Sequence, residues 1–98
     1  MRYVVRSAEL DSGVILPYVE QGEPAGVPLL LVHGFAGSWR SFELVLRHLP
    51  DSIHAFAVTQ RGHGDATKPA EGYGVRDFAA DVEAFTDALS IDAAVLAG

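Results

Sequence analysis

Two short stretches hold most of the residues able to do chemistry. His33-Gly34-Phe35-Ala36-Gly37-Ser38 follows the apolar run Leu29-Leu30-Leu31-Val32, and Gln60-Arg61-Gly62-His63-Gly64-Asp65 follows the run from Ile53 to Val58 and Thr59. Both carry a histidine able to move a proton, and glycines that let the backbone approach a ligand closely. Three sharp readings arise: His33 as a general base, Arg61 as an anion site, and His33, His63 and Asp65 as a metal site. Each has a plainer competitor. His33 and His63 read better as histidines that hold their loops by hydrogen bonds. The Arg61 fork reads better as satisfying loop carbonyls or a carboxylate and fixing the turn. A metal site would need a spacing and a set of supporting partners that the sequence does not display, so no metal is expected. His48 and His54 flank a helix end and a strand start, and read as solvated surface.

The elements that must position these stretches can be read from periodicity. Short apolar runs alternate with helical periods, the pattern of βαβ units around a largely parallel sheet. Tyr3-Val4-Val5 and Val14 to Val19 read as two strands joined through Asp11-Ser12-Gly13, an antiparallel ribbon at the sheet edge. Leu29 to Val32 is a continuous apolar run, as for a strand covered on both faces. A helix follows, with Trp39, Phe42, Leu46 and Leu49 on one face, Ser38 placed to cap it and Pro50 to end it. Ile53 to Val58 is the next strand. A second helix buries Val75, Phe78, Val82, Phe85 and Leu89, with Asp77 and Asp81 in its first two turns where the helix dipole favours acids. Ala93 to Gly98 is a last strand.

Bulk properties exclude several classes. The 98 residues are 49% hydrophobic and 20% charged, which argues against disorder. Seven basic against thirteen acidic residues give a formal charge of −6, and no stretch concentrates positive charge, so nucleic acid is not an expected partner. There is no cysteine, hence no disulfide and no thiolate chemistry in these residues. The N-terminus lacks the apolar core of a signal peptide, and the run from Val27 to Val32 is far too short to span a bilayer. A cytoplasmic protein without a membrane partner is expected.

Taken in order, the motifs resemble the α/β-hydrolase superfamily. Leu30 to Ser38 looks like its third strand and oxyanion loop, and Gln60 to Asp65 like its Arg-Gly-x-Gly loop. Asp77 to Val82 is similar to the helix that follows, and Val95-Leu96-Ala97-Gly98 to the strand entering the nucleophile elbow. The likeness runs the whole chain, nearest to the small esterase, lactonase and cofactor-free haloperoxidase-like members. It implies an α/β fold in which residues 1–98 are the N-terminal portion of a single hydrolase domain. An antiparallel edge ribbon precedes parallel strands with flanking helices, and the chain stops before the nucleophile elbow.

The resemblance also implies roles. The backbone N–H of Phe35 would be one of two oxyanion-hole donors, worth about 3–4 kcal/mol in the transition state. Phe35, Ala36 and Trp39 would form an apolar wall around the substrate, although Trp39 reads slightly better as core. His33, Gly34, Arg61, Gly62 and Gly64 would hold the loops. The nucleophile, its Gly-x-Ser-x-Gly elbow, the acid and the histidine would lie beyond Gly98. The expected activity is hydrolysis of a small carboxylic ester or lactone through a serine acyl-enzyme, without a cofactor, and the 98 residues alone should be inactive. The implied partner is the remaining C-terminal part of the hydrolase, in the same polypeptide or as a second chain. Competing readings are a non-catalytic ligand-binding member of the fold, and an epoxide or halide hydrolase if the nucleophile is aspartate. Epoxide hydrolases usually carry proline where Ala36 stands, haloalkane dehalogenases usually asparagine at Phe35, and many relatives an acid at Thr59. Whatever that acid supports is expected to be missing here.

Overall fold

The computed structural model describes residues 3–98. Its five strands are β1 (Arg6–Glu9), β2 (Ile15–Gln21), β3 (Val27–Val32), β4 (Ile53–Val58) and β5 (Val95–Ala97), joined in one sheet of order β1-β2-β4-β3-β5. β1 pairs antiparallel with β2, and β2 with β4, while β3 lies parallel to both β4 and β5. This is the expected α/β arrangement of an edge ribbon beside parallel strands. The ribbon begins later than Tyr3-Val4-Val5, however. Its register is set by the turn closed by Leu10 N–H on Val14 O, which opposes Glu9 to Ile15 and Arg6 to Tyr18. Only Ala8 of β1 faces inward, whereas Val4 and Val5 are exposed. Pairing, not apolar content, decides where that strand lies.

Alternation along the strands gives the sheet two apolar faces. Leu16, Tyr18, Leu30, Phe56 and Val58 share one cluster with Phe85. Val19, Leu31, Ala55 and Ala57 share the other with Trp39 and Leu46. Each face is covered by one helical segment. On the second face a 3₁₀ turn, Trp39–Phe42, leads into α1 (Glu43–His48). Ser38 caps it, its Oγ accepting Arg40 N–H at 3.2 Å while Ser41 Oγ accepts Ser38 N–H at 3.3 Å. Leu49 is already extended, as a residue before proline must be, and the segment stops.

On the first face lies α2 (Val75–Ala88). Asp77 accepts the Gly74 N–H at 2.9 Å, one half of a capping box. At the other end Ile91 N–H reaches Thr86 O at 2.8 Å and Ser90 N–H reaches Asp87 O at 3.1 Å, a Schellman motif with Ser90 at φ +57. Phe85 is fully buried and Val82 and Leu89 pack against its cluster. Val75, expected on the buried face, is 86% exposed because it begins the helix at the lip of a groove. Asp81 is buried instead. Among the described residues no helix is long and apolar enough to cross a membrane.

Candidate active site

The parallel register β3–β4 ends at Val32 opposite Val58, so the two Gly-rich loops leave the same edge of the sheet side by side. There open α/β sheets bind their ligands. The two loops are joined by two hydrogen bonds, both donated by Gln60. Gln60 donates its backbone N–H to His33 Nε2 at 2.9 Å and its side-chain amide to His33 O at 2.6 Å. His33 Nδ1 meets Gly34 O at 2.7 Å. A backbone N–H only donates and a carbonyl only accepts, so His33 carries its proton on Nδ1 and uses its Nε2 lone pair internally. Burial holds its pKa below the ordinary value, and the neighbouring His63 adds to that. His33 is a neutral fastener with no lone pair left for a substrate or metal.

Beyond His33 the chain turns sharply. Gly37 N–H bonds Gly34 O at 3.1 Å across Phe35 and Ala36, and Ala36 has φ +63, the pattern of a type II turn. Among the described residues, the Phe35 and Ala36 amides donate no hydrogen bond. The Phe35 side chain is 97% exposed. Proline cannot adopt the φ of Ala36, so the proline usual in epoxide hydrolases would not fit this loop as it stands. Trp39, expected also in a substrate wall, is in the core: it packs with Val19, Leu31 and Leu46, and Tyr3 meets it edge-on. Its amphipathic helical spacing drew it inward. Its backbone N–H donates to Thr59 Oγ1 at 3.0 Å. Thr59 thus supplies an acceptor at the place where the resemblance implied an acid.

Arg61 anchors the second loop. Its Nε and Nη2 each lie 2.7 Å from one carboxylate oxygen of Asp81, and Nη1 donates to Gly72 O at 2.9 Å. The pair is nearly buried, and the hydrogen bonds to Asp81 push the guanidinium pKa up, so Arg61 stays charged. Three of its five N–H donors are thus committed inside the protein, and the side chain is nearly buried. Gly62, at φ +78, lets the Tyr73 ring lie against the turn, since a Cβ there would fall 2.5 Å from that ring. His63 Nδ1 meets Arg61 O at 2.9 Å. Gly64, exposed at the loop tip, offers its carbonyl to the Lys68 amine. Among the described residues no group of three or more acidic or histidine side chains could hold a metal.

Asp81, Gln60 and Thr59 were not given these roles from sequence. Asp81 had a readable signal: it lies between Phe78 and Phe85 on the apolar stripe of α2, where a carboxylate needs a buried cation. His54 also departs from expectation. It is not solvated surface but pairs with Glu20 at 2.5 Å and lies against Phe56, the ring centroids 4.3 Å apart and the planes tilted by 45°, because the even-numbered residues of β4 face the α2 layer.

Two of the hollows beside the sheet contrast in position. One of about 390 Å³, lined by Val32, Gln60, Phe78, Val82 and Leu96, opens between α2 and the carboxyl end of β5. The larger, about 520 Å³ around Pro28, His54 and Ser90, lies at the amino ends of β3 and β4, away from the two loops.

Comparison with known proteins agrees with this geometry. A family model of the alpha/beta hydrolase fold matches residues 27–98. Epoxide hydrolase 4 of Mus musculus is 34% identical over 90 residues, covering 90% of this chain and 25% of the relative. Lipase 1 of Psychrobacter immobilis is 38% identical over 65 residues, 66% of this chain and 20% of the lipase. A solved structure described among novel epoxide hydrolases of the alpha/beta hydrolases superfamily, from metagenomes of hot environments, superposes with TM-score 0.92. It is 28% identical, over 98% of this chain and 33% of its own. The chain thus spans about a third or less of the length of these proteins.

Proposed function

The chain belongs to the α/β-hydrolase fold family, and on that premise we propose that it forms the oxyanion-side part of a hydrolase of small carboxylic esters or lactones. The single observation that carries the reading is the turn Gly34–Gly37: a rigidly held loop at a strand's carboxyl end, whose Phe35 amide is free to donate. In this reading a serine outside these residues attacks the carbonyl carbon and a histidine takes its proton. The carbonyl π electrons move onto oxygen, and Phe35 N–H donates to that oxygen as it gains charge. Collapse of the intermediate expels the alcohol, protonated by the same histidine, and leaves an acyl-serine that water then cleaves. Because Gln60 holds His33 at the base of the loop that carries the donor, little reorganisation accompanies the charge, and the donor is worth about 3–4 kcal/mol. No metal or cofactor is asked for. The cytoplasm is the proposed compartment, and the rest of the hydrolase the proposed partner.

A second reading, epoxide opening by an aspartate nucleophile, has support in the names of the mouse relative and of the solved structure. Alanine at position 36, where epoxide hydrolases usually carry proline, supports the ester reading over it.

The test is reconstitution. The 98-residue chain alone should leave nitrophenyl esters intact, and mixing it with a polypeptide that begins at the nucleophile elbow should restore turnover. Ester turnover by the chain alone would overturn the proposal. So would a reconstituted protein that opens epoxides and spares esters.

A further inference from the structure

Between the two loops stands His63, a residue the mechanism above leaves unused. Its Nδ1 faces the Arg61 carbonyl at 2.9 Å, so that nitrogen carries the proton and the ring is tethered. The tether is itself immobile, because Asp81 and Gly72 hold the Arg61 fork. From this base the imidazole meets His33, with centroids 4.9 Å apart and planes at 66°. It also meets Phe35, with centroids 6.2 Å apart and planes at 88°. Both are edge-to-face contacts within the attractive range. The first falls on buried His33, two residues before the proposed donor; Phe35 itself stays 97% exposed, so the contact there is slight. The turn needs such a brace. It is closed by one hydrogen bond, and its Ala36 occupies a left-handed conformation that is strained for an alanine and persists only where the surroundings enforce it.

Resting on the hydrolase reading, we infer that His63 is a positioning residue for the oxyanion loop, its tethered ring packed edge-on against buried His33 so that the loop carrying the Phe35 amide keeps one orientation. The role belongs to the ring and acts through His33. It carries Arg61 and Asp81, on the far side of the second loop, into the geometry of the donor.

The test uses the full-length hydrolase, with active sites counted by a phosphonate that labels the nucleophile. If the unaltered enzyme turns over no ester, the hydrolase reading falls and takes this inference with it. If it does, His63→Ala should lower kcat per labelled site about ten-fold while KM stays within about two-fold, since an oxyanion donor acts in the transition state. His63→Asn keeps a donor for the Arg61 carbonyl without the ring, and should lose as much. His63→Phe keeps the ring and should recover most of the rate. In a His33→Gln background, which keeps an acceptor for Gln60 N–H but removes the ring contact, the His63→Ala loss should shrink. An unchanged kcat, a loss confined to KM, rescue by Asn in place of Phe, or an undiminished loss beside His33→Gln would each overturn the inference.

Discussion

Arg61 and Asp81, twenty residues apart, meet as a planar fork, both nitrogen–oxygen distances 2.7 Å and both side chains nearly buried. The pair ties the loop after β4 to the second turn of α2.

Breaking it from one side leaves a buried charge alone. Asp81→Asn or Arg61→Met should therefore destabilise the full-length hydrolase by about 3–5 kcal/mol in urea unfolding. The double replacement by apolar residues of similar volume should cost much less than the sum. Equal, additive losses below about 1 kcal/mol would mean that the pair is screened like a surface one.

His33 makes a second prediction, in pH. Burial holds its folded-state pKa below the ordinary 6.5, so the unfolded chain binds a proton first as pH falls. The stability that neutral His33 contributes is full above about 6.5 and drains away as pH drops below it. Unfolding curves between pH 7.5 and 5.5 should show this loss in the unaltered protein. The loss should be smaller in His33→Gln, whose side-chain oxygen can still accept Gln60 N–H. An identical slope in both would place the titration elsewhere.

Much of this was legible from residues. Leu29 to Val32 and Ile53 to Val58 read as strands because continuous apolar runs suit a sheet covered on both faces, and the loops they launch carry the glycines. What was illegible depends on partners distant in sequence. Asp81 looks like a favourable acid near a helix start until Arg61 is placed against it. Trp39 fits both a core stripe and a pocket wall, and only the packing of Leu31 and Leu46 decides. The β1 register follows from the Leu10–Val14 turn, which overrides the apolar appeal of Val4 and Val5.

Ser90 offers a gain. As the C′ residue of a Schellman motif at φ +57, it takes a conformation that glycine adopts without Cβ strain. Ser90→Gly should raise stability by about 0.5–1 kcal/mol, read as a higher unfolding midpoint with an unchanged urea slope. A lower midpoint would show that the serine side chain supports that end of α2.

The central claim is that the Phe35 amide, and not its ring, does the work. Phe35 is the second residue of the turn Gly34–Gly37, a position where proline is well accommodated, so Phe35→Pro can remove the N–H while sparing the loop. The decisive measurement is kcat of the full-length hydrolase on a nitrophenyl ester for Phe35→Leu and Phe35→Pro, both checked for an intact unfolding transition. Phe35→Leu should keep most of the turnover, and Phe35→Pro should lose about 10²-fold or more. Equal losses in two folded variants would contradict the account.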